Sequence, residues 1–378
     1  MVGKEKELVL ALCKYFLTLG ATGYGGPLAL IQQMRYHFVT ETKQITAYQF
    51  DHAFTLIKAM PGPIAFQMAV FCSQHLAGRL AGIFAGISLL LPAFCLMIAA
   101  GVGYKYLSDK FYVSIILNGF QFAVAAVIFL GLKTFFLQYY QQKTFWIIVT
   151  LAAVLYFRQS IPEPAIIIGF GLICAVVFGW INRKPKPMLS LGLLAIDWEL
   201  LWKIFKVCAY AGAFVFGTGL ALLPVLQQQF VVQYHWLSLQ VFNDGVTFGQ
   251  MTPGPVTITA TFLGYKVAGL PGAVAATAGI FLLPLFHMIT WFPKVLNWLG
   301  QQHWIQDFLL GATSAVVGVL LITVYKMNEN YILSGPFWII FIMSFGILAV
   351  KPKLPVYRVI VLGGLINLFI TFATMYTI

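Results

Sequence analysis

Laid on itself with a shift of 192 residues, the chain matches without a gap over most of its length, with 21 identities between positions 7 and 94. They include Gly20/Gly212, Gly25/Gly217, Leu28-Ala29-Leu30 with Leu220-Ala221-Leu222, and Phe50/Phe242. Pro61-Gly62-Pro63 falls on Pro253-Gly254-Pro255, and Leu90-Leu91-Pro92 on Leu282-Leu283-Pro284. The same register later pairs Phe145-Trp146-Ile147-Ile148 with Phe337-Trp338-Ile339-Ile340. Agreement at one register means duplication, so whatever the first half folds into is made twice. The two units are expected at 1–181 and 199–378, joined at 182–198 by a stretch that opens Asn182-Arg183-Lys184-Pro185-Lys186-Pro187, a linker composition.

What each unit is made of follows from hydrophobicity. The chain is 60% hydrophobic and 9% charged, against roughly 45–50% and about 25% in a soluble domain. Stretches of the ~20 apolar residues that a bilayer-spanning helix needs recur from end to end. The expectation is an all-α polytopic membrane protein with no sizeable soluble domain. Each half reads as a Gly-interrupted apolar segment (8–34 and 200–226), a mixed stretch (35–58 and 227–250) and a PGP-headed helix (61–77 and 253–268). Four spans follow, at 80–104, 111–132, 144–157 and 163–181, with counterparts at 271–292, 304–325, 337–350 and 356–376. The start, Met1-Val-Gly-Lys-Glu-Lys-Glu, runs into an apolar segment without a small-residue cleavage site, so no cleavable signal peptide is expected. Cys13, Cys72, Cys95, Cys174 and Cys208 lie among apolar residues without a CxxC pair and read as buried free thiols.

Lysine and arginine number 23 against 11 acids, a net charge of +12. Part of this excess serves topology and anionic lipid headgroups, and it also makes an anion a natural ligand. In the first half the basic loops carry Arg79, Lys133 and Lys143; in the second they carry Lys294, Lys351, Lys353 and Arg358, on the alternate loops. That swap argues for inverted repeats, with Lys105, Lys110 and Arg158 as counterexamples. Inversion is expected to need an odd number of crossings in the Gly/PGP region, through a broken or re-entrant helix.

The breaks themselves carry the chemistry. Gly23-Tyr24-Gly25-Gly26-Pro27 and Pro61-Gly62-Pro63, with Gly217-Thr218-Gly219 and Pro253-Gly254-Pro255, let the backbone leave helical geometry before a helix restarts. Irregular backbone at membrane depth is tolerated only inside protein or beside a water-filled cavity. Four helix starts aimed at one cavity would make an anion site; simple kinks are the plainer reading. A helix end contributes about 0.3–1 kcal/mol, ~2 when partly buried, whereas one charge near the bilayer centre costs on the order of 2.5–3.5 kcal/mol. A dianion therefore wants a cation. Lys58 stands three residues before Pro61, and its repeat partner Gln250 three before Pro253; a snorkelling lysine is the alternative. Arg35 could clamp an oxyanion with two hydrogen bonds or anchor at the interface, while Arg79 and Lys266 read as topology determinants. His52, its repeat partner Asp244, and Asp51 are the candidates for proton coupling.

His37, His75, His235, His287 and His303 form neither an i,i+4 histidine pair nor HExxH, so no metal site is expected. Trp146, Trp180, Trp291 and Trp304 lie near segment ends, as an aromatic belt predicts. There is no Walker motif, dinucleotide fingerprint or nucleophile elbow; neither an enzyme, a nucleotide-driven pump, a cofactor nor a nucleic-acid partner is expected.

Gly25-Gly26-Pro27 with Arg35, the run Phe-Asn-Asp-Gly-Val-Thr-Phe-Gly-Gln-Met-Thr-Pro-Gly-Pro from Phe242 to Pro255, and Gly264-Tyr265-Lys266-Val267-Ala268-Gly269-Leu270-Pro271-Gly272 resemble the chromate ion transporter family in its long, two-domain form. The resemblance covers nearly the whole chain. It implies export of chromate across the bacterial plasma membrane, driven by the membrane potential or proton gradient and conferring chromate resistance, with sulfate as a chemical mimic. Lys58 stands where the family usually shows Gln or Asn, His52 replaces an acid, and Cys72 replaces the glycine kept at Gly264. A sulfate or other oxyanion carrier and an anion channel of the same architecture remain alternatives; a membrane sensor or scaffold is disfavoured, because no soluble effector domain accompanies the duplicated breaks. Membrane lipids are expected partners, and a homodimer is the expected assembly.

Overall fold

Along an apolar run every backbone N–H and C=O must find its partner within the segment, and the described residues of the computed structural model form fourteen α-helices and no strand. These residues are 2–58, 60–107, 110–158, 161, 163–179, 198–213, 219–292, 304–351 and 354–376. In the first half they give α1 (Val2–Thr22), α2 (Gly26–Arg35), α3 (Ala47–Ile57), α4 (Ile64–Leu107), α5 (Phe111–Tyr139), α6 (Lys143–Phe157) and α7 (Glu163–Gly179). The second half gives α8 (Trp198–Ala213), α9 (Leu222–Gln227), α10 (Leu239–Met251), α11 (Thr259–Thr290), α12 (Trp304–Asn328), α13 (Gly335–Val350) and α14 (Val356–Tyr376). The linker beginning at Asn182 lies outside the described residues.

The duplication is visible in fine detail. A π-helical turn follows α2 at Tyr36–Glu41 and follows α9 at the equivalent Gln228–Gln233. Lys43 and His235, again equivalent, both take positive φ, at 54° and 49°. Thr46 and Ser238 then cap α3 and α10 through their hydroxyls. The Phe-Trp pairs repeat a bond as well: Trp146 Nε1 donates to the Tyr140 carbonyl at 2.9 Å, and Trp338 Nε1 to the Ile332 carbonyl at 2.7 Å.

As one rod, α4 with its 44 residues would be about 66 Å long, twice the ~30 Å hydrocarbon core. It is instead a hairpin. The backbone leaves the helix at Ala77 (φ −140°) and Gly78 (φ 81°), and the arms 64–76 and 79–107 pack antiparallel: Gly82 lies against Val70 and Gln74, and Gly86 against Phe66. The second half repeats the turn at Ala268 and Gly269. There the Thr261 and Thr277 hydroxyls meet at 2.7 Å, and Gly264 and Gly272 bring their backbones into contact. The sequence boundaries of 61–77 and 80–104 thus hold as separate arms within one continuous run of helix.

Helices α1 and α2 also fold back on each other about the Gly23–Pro27 break, since Tyr15 stacks on His37 and Phe16 on Phe38. Likewise α8 packs against α9 in the second half. The other break, PGP, joins antiparallel arms as well: Gly249 lies against Thr259 and Gly245 against Phe262. The described breaks, at Gly23–Pro27 and at the two PGP runs, are therefore tips of re-entrant hairpins.

The helices of the two halves run oppositely. Along arm 79–107, Ala93 lies by Gly254, Met97 by Thr252 and Tyr104 by Asp244, so α10 runs against it. Arm 259–267 runs against α10, and arm 270–290 against arm 259–267; hence arm 270–290 opposes its repeat equivalent, 79–107. Elsewhere α14, the repeat equivalent of α7, runs against α5, with Asn367 Nδ2 donating to the Ile115 carbonyl and Tyr112 stacked on Phe372. The repeats are inverted. Around the α4–α11 centre, α1 packs on α4 and α8 on α11, while α12 packs on α6 and α7. By length and hydropathy, α4, α5, α11, α12 and α14 carry stretches able to cross a membrane, with α6, α7 and α13 as shorter apolar helices. The chain is thus a multi-pass membrane protein.

All five cysteines are unpaired, but only Cys72, Cys174 and Cys208 are buried; Cys95 is exposed. Inversion makes a direct prediction. Single cysteines at the repeat-equivalent positions Thr42 and Tyr234 should react with an impermeant maleimide from opposite sides of the membrane, and labelling of both from one side would refute the arrangement.

Candidate functional site

The hairpin tips meet in the middle. Ala93 is halfway along arm 79–107, and beside it the Gly254 N–H donates to the Gly23 carbonyl at 3.0 Å, tying the PGP tip of one half to the glycine tip of the other. Gly62, at the other PGP tip, abuts Pro284 of the second half. Gly219 abuts Thr257, just past the second PGP. Each tip depends on left-handed backbone that L side chains avoid: φ is 107° at Gly25, 76° at Gly26, 126° at Gly62 and 99° at Gly254. Pro27 then opens α2, while Pro63 and Pro255 precede the helical turns at 64 and 256.

Polar side chains stand at these tips with bonding capacity left over. Pro61 is fixed by Gln67, whose Nε2 donates to its carbonyl at 2.8 Å while Oε1 has no partner. At the Pro253 tip, the Gln250 Nε2 and the fully buried Thr257 hydroxyl are both unpartnered. Lys58 ends α3, half-buried, its Nζ 4.5 Å from the Phe54 ring. Gly217 and Thr218 lie outside the described residues. Between α1 and α2 a cleft of about 470 Å³ reaches the glycine tip, lined by Thr18, Thr22, Gln32, Gln33, His37 and Glu41.

Other sequence candidates sit elsewhere. The Arg35 guanidinium is already engaged: Nε and Nη2 donate to Asp51 at 2.8 and 2.9 Å, on an exposed face. That hydrogen bonding holds the Asp51 carboxyl below the usual carboxylate range, so the pair stays ionised at neutral pH and is lost as pH falls through the lowered value. Neither residue faces the tips as the clamp expected from sequence would. His52 is partly exposed and stacks on Tyr48. Asp244 differs from both in being enclosed, 1% exposed, and it accepts from Tyr104 Oη at 2.7 Å and Gln240 Nε2 at 3.3 Å. Thr257, Gln67, Tyr104 and Gln240 were not singled out by sequence. Gln67 and Thr257 do carry one readable signal, being polar residues within the first turn or so after a PGP.

The tips draw on both halves, and so does the family signature. A family model described as Chromate transporter matches residues 10–178 and again 202–368. The chain belongs to the chromate transporter family. A chromate transport protein of Cupriavidus metallidurans is 31% identical over 94% of this chain and 92% of its own length. A probable chromate transport protein of Synechococcus elongatus is 29% identical, covering 87% of each chain. An uncharacterized transporter of Methanocaldococcus jannaschii, 26% identical, covers 97% of this chain and 96% of its own. No solved structure matches the chain. Membership makes it a membrane transporter of the chromate transporter family, consistent with a non-enzymatic role.

Within this chromate transporter architecture the glycines are not equivalent. Gly62→Ala puts a Cβ 2.7 Å from Pro284 Cγ and 2.8 Å from Gln67 Nε2, whereas Gly26→Ala meets nothing within 4 Å. Both carry a left-handed strain of roughly 1–2 kcal/mol, so Gly62→Ala should lower the detergent melting temperature more than Gly26→Ala. Equal melting of the two variants would contradict the packing at that tip.

Proposed function

We propose that the chain exports chromate, a tetrahedral dianion, across the bacterial plasma membrane and so confers chromate resistance, as two transmembrane units (1–181 and 199–378) working about one central site. The observation that carries this reading is the set of buried donors without partners at the Pro253 tip, Gln250 Nε2 and the Thr257 hydroxyl, opposed in the repeat by the cation of Lys58. A buried donor left unsatisfied costs about 1–3 kcal/mol. An oxyanion supplies the missing acceptors. The binding set is Gly25, Gly26, Pro27, Lys58, Pro61, Gly62, Pro63, Gly217, Thr218, Gln250, Pro253, Gly254 and Pro255, joined by Thr257. Arg35 is left to its pair with Asp51.

The direction follows from charge. With the inside negative, each charge is worth about 2.3 kcal/mol per 100 mV, so a leaving dianion gains roughly 4.6 kcal/mol. Export can run on the potential alone, with Asp244 as the group through which a proton would couple. Sulfate shares chromate's shape and charge and is the nearest alternative substrate. A homodimer in a lipid bilayer is the proposed assembly.

Chromate binding to purified protein tests the site. Lys58→Ala should weaken binding roughly tenfold or more, the equivalent of ~1.4 kcal/mol, and Gln250→Ala by less. Unchanged affinity in Lys58→Ala would refute the site. Competition among chromate, sulfate, molybdate and phosphate ranks the substrates, and currents far above carrier rates without substrate counterflow would assign a channel instead.

A further inference from the structure

Met327 and Asn328, which end α12, are buried, and a helix's last carbonyls need partners from outside the helix. The Met327 carbonyl accepts from Gln121 Nε2 of α5 at 2.6 Å and from Asn243 Nδ2 of α10 at 3.0 Å. A carbonyl can only accept, so both amides must turn their NH2 groups to it and their oxygens elsewhere. Those oxygens, Gln121 Oε1 and Asn243 Oδ1, have no partner, in residues only 1% and 2% exposed. Gln227 Oε1, on the neighbouring α9, is buried and unpartnered too. Beside Asn243 stands the enclosed Asp244, whose hydrogen bonds from Tyr104 and Gln240 come from neutral groups. Capping of α12 accounts for the amide nitrogens but not for the oxygens.

The repeat supplies a second, independent observation. Gln227 and Asn243 occupy the positions that Arg35 and Asp51 hold in the first half. There a guanidinium fills the acceptors of a carboxylate. In the second half the chain offers amide oxygens at both positions, and the acid has moved one residue on, to Asp244.

We infer that a hard monovalent cation, sodium, binds between α5, α10 and the end of α12, held by the amide oxygens of Gln121 and Asn243 and balanced by Asp244. Amide and carboxylate oxygens are the ligands of hard cations, and the negative end of a helix favours a positive guest. One carboxylate balances one charge; no group of three His, Cys, Asp or Glu converges among the described residues, as a divalent site would favour. The cation joins two helices to α10, which runs straight into the Pro253 tip. Its occupancy therefore fixes that tip whichever anion is carried.

Purified full-length protein, titrated with sodium chloride against choline chloride at constant pH and ionic strength, tests this through thermal unfolding and radiolabelled-sodium binding. Sodium should raise the melting temperature saturably, and choline should not. Asn243→Leu and Asp244→Asn should each weaken sodium binding roughly tenfold or more, ~1.4 kcal/mol, whereas Asn243→Asp, which keeps the oxygens, and Asp51→Asn in the first half should retain it. Absence of saturable sodium binding by the wild-type protein, an equal response to choline, or wild-type affinity in Asp244→Asn would each overturn the site, even if Asn243→Leu fails to fold. Chromate binding of the Lys58 variant reads the anion site separately, so either proposal can fail without the other.

Discussion

A backbone that leaves the helix in the middle of a membrane has only the rest of the chain to receive its N–H and C=O groups. Both halves of this protein make such departures. The hydrogen bond from the Gly254 N–H to the Gly23 carbonyl joins a departure in one half to a departure in the other. Two tips that would each be costly alone are thereby covered by one another and by the middle of arm 79–107. The glycines follow from that closeness: at Gly62 a side chain would strike Pro284, and at Gly254 φ is 99°. Neither half can complete its centre by itself, which is a physical reason for the duplicated units to stay in one chain.

Duplication gave the two halves the same backbone and left their polar residues free to diverge. Lys58 is the repeat equivalent of Gln250, Arg35 of Gln227, Asp51 of Asn243, and His52 of Asp244. In the first half Arg35 and Asp51 are exposed and satisfy each other. In the second the corresponding groups are neutral amides and one enclosed acid, drawn among α5, α10 and α12. An ion pair that is cheap in water is expensive when desolvated, and the inward half accordingly carries amides where the outward half carries the pair.

The spans and breaks were legible in the sequence because glycine, proline and apolar runs act locally. Arm boundaries read as 61–77 and 80–104 fall within a few residues of the arms 64–76 and 79–107. Inversion was legible in the swap of basic loops, whereas Gly25-Gly26-Pro27 specifies a turn but not whether the chain goes on or comes back. That is decided by the stacking of Tyr15 on His37 across the tip. The engagement of Arg35 by Asp51, 16 residues on, was hidden because it joins separate arms. So was the network around Asp244: Tyr104 lies 140 residues from it, and Gln121 lies 206 from Met327. Periodicity carries no information at such separations.

On the proposed reading, having a cation at one PGP tip and an amide at the other suits a carrier better than two cations would. At an effective dielectric near 20, two unit charges 4 Å apart attract by about 4 kcal/mol, so a dianion beside Lys58 gains about 8 kcal/mol before the cost of desolvation. A second lysine at 250 would double that gross attraction to about 16 kcal/mol, approaching the range in which complexes dissociate over days rather than milliseconds. A site that must release its guest at each turnover needs attraction enough to strip water from the anion and little more. The amide of Gln250 provides directed hydrogen bonds at roughly 0.5–1.5 kcal/mol each, somewhat more to a charged acceptor. Divergence of the two halves at this one position thus separates capture from retention.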